Sequence, residues 1–319
     1  MEGRSQARCA LRLARGDGDG GRRREGADQG QDRQRTDRQA VTFSETAYAK
    51  INLALHVRRR RADGYHDLET LFAFCEDGDE LAVEPANGLS LTIQGPFGDG
   101  LSADEDNLVL RAARALQEAS GMKAGATIRL DKRLPIASGI GGGSADAAAA
   151  LRLLTRLWCV DLPRSALHDI AAGLGADVPA CFVSRSCRGE GKGDALDLLD
   201  DAALRGLPVL LVNPRVPVPT GPVFKGWDGI DRGALAGGDP LAAALAGRND
   251  LQAPAIAMQP VIADVISALD AMPGATLARM SGSGATCFAL FGTAKERDGA
   301  HDAIENRFPG WWTLATLLR

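Results

Sequence analysis

From Val41 onward the apolar and polar positions follow regular periods, and the segments they mark belong to a mixed α and β chain. Apolar residues at Ala49, Ile51, Leu53, Leu55 and Val57 alternate with others, which predicts a strand with one buried face and puts Lys50 and Asn52 together on the opposite one. The same reading predicts strands over residues 68–75, 80–83, 89–93 and 126–130, with a helix over 107–118 between the last two. These strands fall in clusters rather than alternating with helices. That speaks against a doubly wound parallel sheet and for an α+β class.

A glycine run from Gly139 to Gly143 leads into an alanine-rich helix beginning near Ser144, and a second helix covers residues 163–172. Past residue 205 the texture repeats on a smaller scale. A strand over 209–212, a long helix over 250–271, strands on either side of Ser281 to Gly284, a helix over 295–307 and a last strand near Trp312 predict a second α+β unit. The expected organisation is two domains, 41–204 and 205–319. Residues 1–40 stand apart: rich in Arg, Asp, Gly and Gln, and without helical or strand period, they read as a disordered leader.

Composition narrows the class without naming it. The chain has 319 residues, of which 45% are hydrophobic and 24% charged, as in globular proteins of ordinary kind. No apolar run is long enough to cross a bilayer and no secretory signal opens the chain, so a cytoplasmic protein that does not engage membranes is expected. The net charge of −4 gives no general attraction for nucleic acid, and the arginines of the leader are interleaved with aspartates. Six cysteines without a C-x-x-C pair read as free thiols.

The strongest chemical signal is "LPIASGIGGGSADAAAAL", residues 134–151. Glycines at 139, 141, 142 and 143 let backbone N–H groups converge on an anion, and the helix that follows adds its unpaired N-terminal donors. Ser144 either caps that helix or contacts phosphate or magnesium, and Asp146 in its first turn favours the helix dipole. The loop is neither a P-loop nor G-x-G-x-x-G, since no Lys-Ser/Thr pair follows and the spacing differs. A second loop, "MSGSGATCFALF", sets Ser281, Gly282, Ser283 and Gly284 between strand-like runs, either as a hairpin turn or as the opposite wall of one cleft. Lys50 is either a solvated strand lysine or a cation beside a reacting hydroxyl. Asp177, in "GLGADVPACF", is either a turn residue or a general base.

Taken with "AYAKINLALHV", "DGYHDLET" and "RNDL", these segments resemble the GHMP kinase superfamily, in the expected order from about Thr46 to the C-terminal region. The resemblance implies an N-terminal domain like ribosomal protein S5, a ferredoxin-like C-terminal domain and a cleft between them. It places ATP against Pro135, Ala137, Ser138, Gly139, Ile140, Gly141, Gly142, Gly143 and Ser144, with Mg2+ and with Ser144 as the candidate metal contact. It makes Asp177 the catalytic aspartate and Lys50 its partner. The Lys50–Asn52 strand with Tyr65 and His66 resembles members that act on a cytidine-bearing substrate. In those, Asn52 would lie near the substrate, Tyr65 and His66 against the cytosine and Phe224 on its other face, with the loop of Ser281, Gly282, Ser283 and Gly284 beside it. The implied reaction is phosphorylation of the 2-hydroxyl of cytidine diphosphate methylerythritol, in non-mevalonate isoprenoid biosynthesis, by a monomer or weak homodimer. Kinases of homoserine or mevalonate type, and a non-catalytic nucleotide-binding protein, are the alternatives. Ile140 and Ala145 depart from the usual leucine and serine, and neither removes a backbone donor.

Overall fold

The computed structural model describes residues 42–319, and the leader expected over 1–40 lies outside them. The chain begins with two long antiparallel strands, β1 (Phe43–Arg60) and β2 (His66–Ala86). Two expectations fail here. Residues 49–57 of β1 are buried on both faces, not one. The second sheet covers the apolar face, while the glycine loop and the Ser281 loop close over Lys50 and Asn52. The strands expected over 68–75 and 80–83 are one strand. Its polar middle is a close crossing, in which Gly78 faces Tyr48 and an added Cβ would meet the Ala47 carbonyl oxygen at 2.1 Å.

Around β2 a six-stranded sheet forms in the order β3-β4-β2-β5-β6, with β1 on β2. Its further strands are β3 (Leu89–Gln94), β4 (Gly125–Asp131), β5 (Cys187–Gly191) and β6 (Ala195–Leu198), and only β3 with β4 pairs in parallel among the described residues. The β5–β6 hairpin was not foreseen from the sequence. Four helices accompany this sheet: α1 (Leu108–Ser120), α2 (Gly142–Leu157), α3 (Arg164–Leu174) and α4 (Val178–Val183). The Asn107 side chain accepts from the Val109 N–H to start α1, and Gly121 in the left-handed region stops it. The alanines of α2 let it lie close on β1 and β2, and its buried face runs from Ala145 to Leu157.

The second sheet holds β7 (Pro208–Asn213), β8 (Ala275–Met280), β9 (Cys287–Phe291) and β10 (Trp312–Leu317), antiparallel in the order β10-β7-β9-β8. Helices α5 (Thr220–Lys225), α6 (Pro240–Ala246), α7 (Gln252–Met258) and α8 (Val261–Asp270) join β7 to β8, and α9 (Ala294–Arg307) joins β9 to β10. This is the ferredoxin-like path that the resemblance to the GHMP kinases implies. The helix expected over 250–271 is instead two, α7 and α8. Pro260 lacks an N–H and forces Gln259 out of helical geometry, to φ −137° and ψ 85°.

One apolar cluster unites the sheets, packing Ile51, Leu53 and Ala73 against Val209, Leu211 and Phe288. Cys75, Cys181, Cys187 and Cys287 are buried free thiols, whereas Cys159 departs from the free-thiol expectation and is disulfide-bonded. Cys159 follows the end of α2 at a partly exposed position. Among the described residues no helix is long and apolar enough to cross a membrane.

Candidate active site

Lys50 lies on β1 with its side chain 2% exposed, and its ammonium donates to Asn52 Oδ1 at 2.9 Å and pairs with Asp177 Oδ2 at 2.9 Å. Asn52 is held in turn, since its amide donates to Thr70 Oγ1 at 2.8 Å and that hydroxyl donates to the Ala54 carbonyl. The pair therefore sits on a strand that cannot shift without breaking buried hydrogen bonds.

The glycine loop is built onto this strand. Lys50 N donates to Ile140 O at 3.0 Å, and Gly141, at φ +68°, is the N-cap of α2. A Cβ on Gly141 would come within 3.0 Å of Lys50 Cε, so only glycine passes there without displacing the lysine. Ser144 is not the cap, contrary to one of its two expected roles. It stands in the first turn and lines the cavity, and no side chain caps α2, which leaves its first N–H groups for a ligand.

Asp146 does not serve the helix dipole as expected. It is buried one turn further in, where Lys132 Nζ donates to its Oδ2 at 2.8 Å and also pairs with Asp79. Burial, and behind it the carboxylate of Asp79, raise the Asp146 carboxyl above its ordinary value against the opposing pull of the Lys132 ammonium, and Asp146 Oδ1 has no hydrogen-bond partner. Burial alone would depress the Lys132 ammonium, but Asp146 and Asp79 together hold it above its ordinary value.

The Ser281 loop closes the other side. Ser281 Oγ accepts from Asn52 N at 3.1 Å and donates to Gly139 O at 3.0 Å, so one hydroxyl ties the lysine strand to both glycine loops. Asn249, in the "RNDL" segment, donates to Met280 O and Gly282 O at 2.8 Å each. Its neighbour Asp250 accepts from Val57 N at 2.8 Å.

A cavity of about 460 Å³ lies between these elements. Of the residues singled out from the sequence, Lys50, Asn52, Asp177, Ala137 to Gly139, Gly141 to Ser144, Phe224, Gly282 and Ser283 line it. Pro135, Ile140, Ser281 and Gly284 stand behind the wall. Pro135 O accepts from Ser138 Oγ, Ile140 packs into the shared core, and Gly284 N donates to Ser281 O. Tyr65 and His66 also lie one layer out. His66 packs on Phe224 with ring centroids 5.2 Å apart, and Tyr65 is exposed under Lys192, whose Nζ is 4.0 Å from the ring centre.

Several lining residues escaped the sequence reading. Lys192, in the β5–β6 turn, and Thr220, at the start of α5, flank the Phe224 end. Leu101, Leu108 and Ile136 form an apolar end beside the glycine loop. No local pattern separates these from ordinary turn and core residues.

Comparison with known proteins matches residues 107–185 to the GHMP kinases N terminal domain and residues 234–310 to the GHMP kinases C terminal domain. The 4-diphosphocytidyl-2-C-methyl-D-erythritol kinase of Rhizorhabdus wittichii is 60% identical over 278 residues, 86% of this chain and 94% of that protein. The same kinase of Novosphingobium aromaticivorans is 52% identical over 280 residues, 88% of this chain and 94% of its own. A crystal structure of 4-(cytidine 5'-diphospho)-2C-methyl-D-erythritol kinase superposes with a TM-score of 0.71 at 34% identity, covering 86% of this chain and 99% of that one. A homoserine kinase from Cytophaga hutchinsonii, at 20% identity and a TM-score of 0.67 over 87% of this chain and 95% of its own, shares the fold. Identity of 60% across both sheets goes well beyond a common fold: the chain belongs to the 4-diphosphocytidyl-2-C-methyl-D-erythritol kinase family of the GHMP kinases.

Proposed function

We propose that the protein transfers the γ-phosphoryl group of ATP to the 2-hydroxyl of 4-(cytidine 5'-diphospho)-2-C-methyl-D-erythritol, a step of non-mevalonate isoprenoid biosynthesis. The observation that carries the reading is the Lys50–Asp177 pair, 2.9 Å apart, on the wall of a cavity that the α2 glycine turn also lines. Pure nucleotide binding needs no such pair. A kinase needs a proton acceptor for the attacking hydroxyl and a cation beside the transferred charge.

In this reading the backbone N–H groups of Gly142 to Ser144 hold the phosphates, and Leu101, Leu108 and Ile136 receive the adenine. The cytidine lies towards Phe224, with His66 and Tyr65 backing that end. Asp177 takes the proton of the acceptor hydroxyl on its exposed carboxylate. Lys50 orients Asp177 and offsets the charge that develops on the oxygen. Asn52 and Ser283 orient the polyol.

Magnesium fits the donor set as an ion carried in on the nucleotide. It favours phosphate oxygens, water and one or two protein oxygens, and the Ser144 hydroxyl in the first turn of α2 lines the cavity. Ser144 would hold it, and the ion would supply charge neutralisation on the phosphate oxygens.

The test is ADP release with ATP and magnesium, offered the cytidine diphosphate methylerythritol, homoserine or mevalonate in turn, with phosphorus NMR locating the new phosphate. Activity with the cytidine compound alone, on its 2-oxygen, is the expected result. Activity with another acceptor overturns the substrate, and silence with all three overturns the catalytic reading.

A further inference from the structure

The reacting groups come from three elements: β1 supplies Lys50, α2 supplies the glycine turn, and α4 begins just after Asp177. The three meet a second time, away from the cavity, at the guanidinium of Arg152. Arg152 lies on α2, and its Nη1 donates to Cys181 O at 2.7 Å and to Phe182 O at 3.1 Å, two carbonyls in the last turn of α4. Its Nε pairs with Glu45 Oε1 on β1, the strand of Lys50. Glu45 is fixed from its other oxygen, which accepts from Arg156 Nη2 at 3.2 Å.

We propose that Arg152 is a positioning residue for phosphoryl transfer, locking α4 to α2 and β1 so that Asp177 stays within reach of Lys50 and of the phosphate loop. The inference rests on the reading of Asp177 as the base. Helix α4 has only six residues, which is too short to be stable by its own hydrogen bonds. Asp177 is its N-cap residue but makes no side-chain capping bond, so the carboxylate is placed by where the helix sits. The buried face of α4, Val178 to Cys181, resists lifting off the core, whereas sliding and rotation are resisted at its C-terminal end. There Arg152 holds two carbonyls, and Arg319 Nη1 donates to Ser184 O at 2.9 Å.

An arginine can do this and a lysine cannot do it equally. The planar guanidinium presents donors in fixed directions, so one edge can face Glu45 while another faces the α4 carbonyls. An ammonium on a flexible stem can satisfy either partner without fixing the angle between them. Displacing a catalytic group by about 1 Å from a remote site costs up to about 100-fold in rate.

The experiment compares wild type, Arg152→Met and Arg152→Lys in ADP release with saturating ATP-magnesium and the cytidine substrate, with melting temperature measured on each. The expected result is a kcat lowered about 10- to 100-fold in Arg152→Met. Both KM values should stay within about threefold, because Arg152 does not line the cavity, and Arg152→Lys should recover part of the loss. A folded Arg152→Met protein with wild-type kcat overturns the proposal, as does a loss confined to KM. If Arg152→Met is unfolded at the assay temperature, Arg152→Lys decides: a kcat equal to wild type overturns the proposal, and a lowered kcat with unchanged KM supports it. Wild type that releases no ADP refutes the proposed function instead, so the two failures are distinguishable.

Discussion

Lys50 and Asp177 form an ion pair that is buried on one side only: the lysine side chain is 2% exposed and the aspartate 39%. The carboxylate can therefore meet a ligand while its partner is sealed into the strand. Replacing one member of such a pair leaves the buried cation short of counter-charge as well as removing the base. For Asp177→Asn we predict kcat lowered by about 10²- to 10⁴-fold, the usual contribution of a general base, with KM for ATP nearly unchanged. Steady-state ADP release measures both, and normal turnover would sink the assignment.

Gly141 shows how closely the phosphate loop is fitted to the lysine. Gly141→Ala must hold a side chain at φ +68° and press on Lys50 Cε. We predict a loss of about 1–2 kcal/mol in urea unfolding from the left-handed backbone. A fall in kcat larger than that from unfolding should accompany it, because the displaced atom belongs to Lys50. Unchanged activity would mean that the loop can yield without moving the lysine.

Recognition of the base can be tested one layer out from the cavity. His66 backs Phe224 at 5.2 Å, so His66→Ala removes the support of the ring that lines the site. An aromatic contact is worth about 0.5–1.5 kcal/mol, which predicts a KM for the cytidine substrate raised roughly two- to tenfold in either His66→Ala or Phe224→Ala. KM for ATP should not follow. If His66→Ala leaves the cytidine KM unchanged, the narrower substrate assignment loses a main support.

His56 makes stability depend on pH. Its Nδ1 faces Gly233 O at 3.1 Å and its Nε2 accepts from Arg248 N at 3.2 Å, so the partners assign a neutral ring protonated on Nδ1. Burial, and then Arg248, push its pKa below the ordinary 6.5, against weaker opposing pulls from Gly233 O, Asp250 and Glu69. The unfolded chain then binds a proton that the folded one refuses. The His56 contribution is full above 6.5 and is lost as pH falls through that value towards the folded pKa. Chemical denaturation of His56→Gln between about pH 5 and 7 should give a shallower rise of stability with pH than wild type. An identical slope would exclude His56 as its source.

The glycine loop was legible from its own residues, a glycine run before a helix, whereas Lys50, Asn52 and Asp177 stood out only through the order of motifs that resembles the GHMP kinases. The helix expected over 107–118 is α1, with each end within two residues of the expectation, although the cap at Asn107 and the stop at Gly121 were not read from the sequence. Other features depend on what packs where. The alternation in β1 suggested a solvated face at Lys50, but a second sheet and two loops cover that strand on both sides. The polar stretch around Gly78 separated the strands expected over 68–75 and 80–83, and only the crossing with β1 makes it strand. Lys132 was not singled out from the sequence, yet it is buried between Asp79 and Asp146. Arg152 sits in an ordinary amphipathic position. Its partners, 107 residues before it and about 30 after it, carry no pattern that links them.

The apolar cluster shared by the two sheets makes the molecule indivisible. Cut between β6 and β7, one fragment would present Ile51, Leu53 and Ala73 to water and the other Val209, Leu211 and Phe288. Each would carry a contiguous apolar patch of the kind that drives aggregation. Although the sheets follow one another along the chain, neither is an autonomous module for grafting or separate expression. A working enzyme split at that point would require both pieces to be made together and to find each other before they precipitate.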